Sequence, residues 1–381
     1  LRRSTDLPVR AFDFSLFKSR MSPRGDADDG KSVMAPMTDD YNKRNQSQST
    51  VWKYAQPLFQ RAVTDILSSR DGNGPVRVAD WGCATGGNSV APLQYVSSQV
   101  TKDGTNSQAL EVLLGDLPQT AWSSLASTVT PKTISPTDAE NTFVYMVGRS
   151  FYECCAPDLD LSYCLVAVHW MKSYPGDISS GLYATDPLHN SDPESLQAWK
   201  EAGRLDFAEF TQARYRELKV GGHFIGAVAC PKENGDYPWS KVGIVIYLAL
   251  QTKVAKAEDL APCVLPCCWR TEEEVREGFE NNDGWELQVC DFYQTKDPVR
   301  ESLERTDISP KEYGEAVVEA FKAVCHHTCL GSLTKCTGMP VDKVEELLND
   351  AYKESVDVIA ADPEQYNLDV SFWYILAKRV K

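Results

Sequence analysis

The chain predicts an α/β fold built on a largely parallel sheet, and three observations carry that prediction. From about Tyr41 onward, short apolar runs alternate with stretches of helical spacing. The first apolar run closes on an acid and a glycine-rich turn, "VRVADWGCATGGNSV" from Val76 to Val90, as strand-to-helix turns of such sheets do. The chain has 381 residues, 42% of them hydrophobic and 10% aromatic, which is enough to bury a large core.

Residues 1–40, with "MSPRGDADDGKSV" at their centre, mix Arg, Ser, Pro, Gly and Asp without periodicity and are expected to be a flexible leader, the fold starting near Tyr41 and running to residue 381. "STVWKYAQPLFQRAVTDIL" places Val51, Tyr54, Ala55, Leu58 and Ala62 on one helical face. Five strands follow in order: "PVRVADWG", "LEVLLGDLP", "NTFVYMVGRSFY", "LSYCLVAVHW" and "GGHFIGAVAC", with "VSFWYILAKRV" as the last. Between the fourth and the last, "SLQAWKEAGRLDFAEFTQARYRELKVGG" is a long amphipathic helix and "SKVGIVIYLALQTKVAKAEDLAP" a more apolar one. These regions, about 176–215 and 236–350, are expected to cap an acceptor pocket, with Trp239, Tyr247, Trp269 and Phe292 as candidates to line it that individually read first as core residues.

A formal charge of −15 argues against a nucleic-acid groove, and no apolar stretch approaches the roughly 18 residues of a membrane span. Neither nucleic acid nor a membrane is expected as a partner. Twelve cysteines, mostly in apolar runs, suit reduced core thiols and a cytoplasmic protein. "CVLPCC" and "CHHTC" only approach zinc-ligand spacing, and the helical pattern around Cys325 and Cys329 makes them packing residues.

Ligands of open α/β sheets collect beyond the carboxyl ends of the strands, where Asp80, Asp116, Ser150 and Trp170 fall. The turn after Asp80 lacks the Gly-Lys-Ser/Thr of a phosphate-binding loop and has an acid where a dinucleotide fingerprint has none. Asp80, Gly82, Ala84 and Gly86 instead approach the D-x-G-x-G-x-G spacing of S-adenosylmethionine binders. The small residues let backbone reach the ligand, and the acid suits its positive charge. Asp116, closing the second strand, is placed to accept hydrogen bonds from ribose hydroxyls.

"YNKRNQSQ", "DWGCATGGNS", "GDLPQTAW", "VGRSFYE", "VHWM" and "DFAEFTQARYRELKVGGHFIG" occur in the order of the motifs of the SABATH family, and the chain resembles these salicylic, jasmonic and indoleacetic acid type carboxyl methyltransferases from about Tyr41 to its last strand. The resemblance implies a Rossmann-like methyltransferase sheet, a homodimer and methylation of a small organic acid with S-adenosyl-L-methionine as cofactor. It implies cofactor contacts from Tyr41, Asn45, Asp80, Gly82, Cys83, Asn88, Asp116, Leu117, Ser150 and Phe151, with Asn45 standing where relatives carry serine. It implies that Gln48 and Trp170 hold the acceptor carboxylate.

A carboxylic acid, with a pKa near 4, arrives ionised and needs no general base. What remains is alignment and exclusion of water, with the near-attack geometry contributing up to roughly 7–11 kcal/mol. A Gln amide and an indole N–H aim an oxygen without neutralising it. His169, the third residue of the catalytic set, is expected to hydrogen-bond the substrate or orient Trp170 rather than to act as base. Where relatives read Y-S-L-H-W this chain has "VAVHW", so Val166 replaces an aromatic wall and a salicylate-like acid is not expected. "SSGLY" and "APCVLP" replace the segments that bind magnesium in some relatives, and no metal is predicted. Two rival readings stand beside the ester: methylation of a nitrogen heterocycle, and an inactive cofactor-binding partner subunit.

Overall fold

In the computed structural model, described over residues 49–70, 74–101, 108–178, 180–254 and 256–381, the apolar runs assemble one seven-stranded sheet. Its strands are β1 (Val76–Trp81), β2 (Leu110–Asp116), β3 (Thr142–Gly148), β4 (Leu159–Leu165), β5 (Leu218–Ala229), β6 (Trp285–Thr295) and β7 (Val370–Arg379). They lie in the order β3-β2-β1-β4-β5-β7-β6, with β1 to β5 parallel and β7 antiparallel to both its neighbours. Central strands β1, β2 and β4 are buried on both faces, hence their near-continuous apolar sequence. The chain winds outward through β2 and β3, then returns to start β4 on the other side of β1. The carboxyl ends of β1 and β4 therefore flank the crevice where the winding reverses.

Helices cover both faces. On one, α1 (Ser49–Ser69) and α2 (Val90–Val100) pack together, Phe59 meeting the Tyr163 ring at 5.1 Å. Two short helices, α3 (Trp122–Thr128) and α4 (Pro131–Ile134), lead into β3. On the other face, α5 (Pro193–Glu217) lays Phe207 and Phe210 against Phe224 of β5 and Phe279. Its start is set by Asp192, whose side chain accepts from the Glu194 amide, and by Pro193 in the first turn. Within the stretch expected to form a cap, Trp199 and Ala202 pack with Met171, Ile178 and Val264, whereas Phe207 and Phe210 serve the sheet.

The remaining helices are α6 (Ser240–Gln251), α7 (Glu272–Glu280), α8 (Pro298–Glu304), α9 (Pro310–Thr337) and α10 (Val341–Ala361). α6, α9 and α10 pack together and share a core with the first face of the sheet through Val242, Ile246, Phe321 and Tyr352. Cys263, Cys267, Cys325 and Cys329 are buried there, and all twelve cysteines are unpaired.

The expected strand set gains one member, and two pocket candidates lie elsewhere. β6 was absent from the expected strands, although Trp285, Leu287 and Val289 alternate with Glu286 and Gln288; a register shift between Leu287 and Val289 breaks the period. Phe292, one of the pocket candidates, lies on this strand against Trp373 at 5.3 Å. Tyr247 is a core residue, 2% exposed. The β3–β4 connection, residues 149–158, carries no helix, which leaves Phe143 and Tyr145 of edge strand β3 about half exposed.

Candidate active site

Parallel strands set about 4.8 Å apart present their carboxyl ends in sequence, β3, β2, β1, β4, over roughly 15 Å. Ser150 and Phe151 follow β3, Asp116 and Leu117 end β2, Asp80 to Cys83 end β1, and His169 and Trp170 follow β4. An elongated ligand along this edge meets all four groups. Tyr41, Asn45 and Gln48 lie outside the described residues.

The turn after β1 is wound left-handed at alternate residues: Gly82 at φ 80°, Ala84 at 49° and Gly86 at 84°. A Cβ at Gly82 would collide with that of Ala167 in the turn after β4, so the two turns touch across the crevice. Ala84 holds its strained conformation because its N–H donates to Asp116 Oδ2 at 2.7 Å. Asp116 Oδ1 accepts from the Leu117 amide and the Thr120 hydroxyl, each at 2.7 Å. Three of about four acceptor positions on this carboxylate are thus occupied, leaving one on Oδ2. Thr120 and Ala84 stand within the quoted stretches "GDLPQTAW" and "DWGCATGGNS", but their hydrogen bonds to Asp116 were missed from sequence.

Asp80 is buried, and its carboxyl is pushed up to about 7, first by desolvation. The Ser89 and Tyr163 hydroxyls oppose the rise, although neither reaches hydrogen-bonding geometry, and the Asp116 charge adds to it. Burial and both acids hold the Cys83 thiol well above its ordinary value, so it is a packing contact and no nucleophile. Asn88, at the start of the following helix, is exposed.

The loop after β3 is fixed from below by a fully buried ion pair. Arg214 binds Glu217 at 2.7 Å and donates to the carbonyls of Phe151 (2.6 Å) and Glu153 (3.0 Å), while Glu217 accepts from the Cys155 amide at 2.6 Å. The guanidinium also lies over the Trp81 ring at 4.9 Å. Both residues come from "RYRE" in α5, whose i, i+3 opposite charges were the readable signal. Arg214→Met is expected to cost about 3–5 kcal/mol by leaving Glu217 uncompensated; denaturant unfolding measures it, and a loss under 1 kcal/mol would contradict this role.

β4 ends at Leu165, and Val166 at φ 66°, a β-branched residue in the left-handed region, starts the turn. Because the strand has ended, alternation no longer separates His169 from Trp170, and their rings lie 4.8 Å apart. The Trp170 backbone is pinned on three sides: its N–H donates to Ala167 O at 3.0 Å, its carbonyl accepts from the Tyr152 hydroxyl at 2.7 Å, and it bridges to Cys267. The indole N–H takes no hydrogen-bond partner among the described residues. His169 Nδ1 is buried and has no hydrogen-bond partner among the described residues, and burial together with the Arg270 charge pushes this imidazole down to about 3. It is neutral at pH 7 and too weak a base to take a proton from a phenol or an amine. Trp269 lies two residues beyond the bridge, its ring between those of Tyr183 and Tyr237 at 4.8 and 5.6 Å.

Residues 36–361 match the sequence model of a family described as SAM dependent carboxyl methyltransferase. "Methyltransferase FUS9" of Gibberella moniliformis is 25% identical over 351 residues, covering 86% of this chain and 91% of its own length. "Gibberellic acid methyltransferase 2" of Arabidopsis thaliana is 22% identical, covering 74% of this chain and 79% of its own. Among solved structures, one titled "Loganic acid methyltransferase with SAH" superposes with a TM-score of 0.71 at 18% identity, covering 91% of this chain and 99% of that one. No helix among the described residues is long and apolar enough to cross a membrane.

Proposed function

The chain belongs to the family of S-adenosylmethionine-dependent carboxyl methyltransferases, and on that premise we propose how its residues divide the work of methylating a small organic acid. When bound, the cofactor supplies an electrophilic methyl on a positively charged sulfur. The site fits it: a left-handed turn of small residues that excludes a Cβ at Gly82, one carboxylate with an acceptor position open at the end of β2, and a second, buried carboxyl whose ionised form a cation would favour. Asp116 takes a ribose hydroxyl on Oδ2, and Asp80, Gly82, Cys83 and Asn88 line the amino-acid end. Leu117, Ser150 and Phe151 line the base, and Tyr41 and Asn45 close the site from the preceding segment.

On the acceptor side, Gln48 and Trp170 hold the ionised carboxylate so that one oxygen faces the methyl. The oxygen's lone pair forms the new O–C bond as the C–S bond breaks with its pair left on sulfur, so no proton moves and no base is required. The carrying observation is a Trp170 backbone pinned on three sides with an indole N–H that takes no partner among the described residues. His169 orients the indole or donates to the substrate. A neutral imidazole held down to about 3 favours ester formation over methylation of a ring nitrogen that must first lose a proton.

The domain is proposed to run from residue 41 to 381, with the acceptor covered by parts of 176–215 and 236–350. Twelve unpaired thiols suit a cytoplasmic setting, and a homodimer is proposed; light scattering that returned the monomer mass would exclude it. The test of the reading is radiolabelled methyl transfer to a panel of gibberellic, loganic, indole-3-acetic and benzoic acids. The expected product loses its label as methanol in mild alkali. A label that survives alkali would be an N-methyl group and would end the carboxylate assignment.

A further inference from the structure

We propose that Arg270 is the positioning residue of the acceptor clamp and supplies the positive charge that draws the acid to it. This rests on the reading of Trp170 as the acceptor's anchor. Arg270 is 1% exposed, and its guanidinium lies over the Phe207 ring at 4.8 Å and donates to three carbonyls: Nη1 to Val168 O at 2.9 Å and Cys268 O at 3.3 Å, and Nη2 to Gly203 O at 3.1 Å, while Nε takes no partner among the described residues. Those first two carbonyls belong to the two segments that cross at the Trp170–Cys267 bridge, where the Cys268 N–H also donates to His169 O at 2.8 Å. One rigid fork therefore fixes both segments around the indole.

Fixing two carbonyls needs no charge, since a neutral donor does it without the desolvation that a buried cation suffers. The comparison with Arg214 is direct. That guanidinium, equally buried, is cancelled by Glu217 at 2.7 Å, whereas no carboxylate lies within 4 Å of Arg270 among the described residues. The neighbouring buried acid, Asp206, is engaged by the Lys172 and Ser173 amides and the Ser173 hydroxyl. Both Tyr152 and His169, beside Trp170, feel the Arg270 charge, and Asp206 also acts on Tyr152. The charge, paired with no carboxylate among the described residues, is held on Val168 O, two residues before Trp170. With three of its N–H groups already on carbonyls, the guanidinium attracts the acid through space rather than by chelating it. The neutral ester product loses this attraction.

Arg270→Lys and Arg270→Gln separate charge from fork. Both are assayed on the panel acid turned over fastest, with S-adenosylhomocysteine binding by calorimetry as the check of folding, and with the primary amide of that acid as a neutral competitor. The lysine variant is expected to keep KM for the acid within about 3-fold while kcat falls about 10-fold; the glutamine variant is expected to raise KM about 10-fold or more as well. Amide inhibition is expected to change alike in both. A purely structural role predicts the same KM for the acid in both variants, which would overturn the proposal. Should the glutamine variant fail to bind S-adenosylhomocysteine, the lysine variant decides alone: KM kept with kcat lowered supports the charge, and both lost together overturns it. Absence of turnover of every acid by the unaltered chain would instead remove the clamp reading on which this rests.

Discussion

Asp116→Ala is expected to weaken S-adenosylhomocysteine binding by at least about 100-fold. The carboxylate does two things that alanine cannot. It offers an open acceptor position on Oδ2 to a ribose hydroxyl, and hydrogen bonds to a charged group contribute about 1.5–3 kcal/mol each. It also holds the Ala84 amide, at φ 49° in the turn after β1, and the Leu117 amide at the end of β2. Releasing them leaves two donors without partners and lets the strained turn relax away from the ligand, at about 1–3 kcal/mol more. The sum, about 2.5–6 kcal/mol, corresponds to roughly two to four decades in affinity. Asp116→Asn sharpens the test. Its amide can accept on one side only, so either Ala84 or Leu117 must face an N–H₂ group, and affinity should fall nearly as far. Calorimetric binding of the Asn variant within 3-fold of the unaltered chain would show that neither charge nor double acceptance matters at this position.

Much of this site was legible because it follows chain order. A parallel strand that ends in an acid puts that acid at the carboxyl edge whatever the rest of the fold does, so Asp80 and Asp116 were placed by local pattern alone. What was hidden depends on tertiary contact. Thr120, Tyr152, Arg214 and Arg270 act on site residues through backbone carbonyls or a shared carboxylate, between 4 and 102 positions apart. No spacing rule announces a carbonyl as a ligand. β6 was hidden for a different reason: it is an edge strand with a register shift, half-exposed, and its burial pattern is blurred where β1 and β4 are uniformly buried.

The expected pH behaviour separates capture of the cofactor from the chemical step. At saturating cofactor, kcat is expected to be flat from about pH 6 to 8, because the acid is already ionised and His169, pushed down to about 3, has no proton to exchange there. Affinity for S-adenosylmethionine should not be flat. Asp80 rises from 3.8 to about 7 in the empty site, so between 3.8 and about 7 the cofactor-free protein progressively loses roughly 4 kcal/mol that a carboxyl ionising at its ordinary value would not forfeit. A cationic ligand restores the ionised form and expels the proton. The dissociation constant should therefore fall about tenfold between pH 6 and pH 8, with proton release visible as a dependence of calorimetric heat on buffer. Asp80→Asn should bind more weakly and lose that slope. On the acceptor side, Trp170 is 8% exposed, so alanine would also open the core; Trp170→Phe removes the N–H and keeps the ring. It is expected to lower kcat/KM for the acid about 10- to 100-fold with cofactor affinity unchanged, and His169→Ala to cost less. A kcat that climbed through a histidine-like pKa, joined to a loss of 100-fold or more in His169→Ala, would show that a proton is removed in the rate-limiting step. In that case His169 would have to be far more basic in the working complex than its buried Nδ1 beside Arg270 allows.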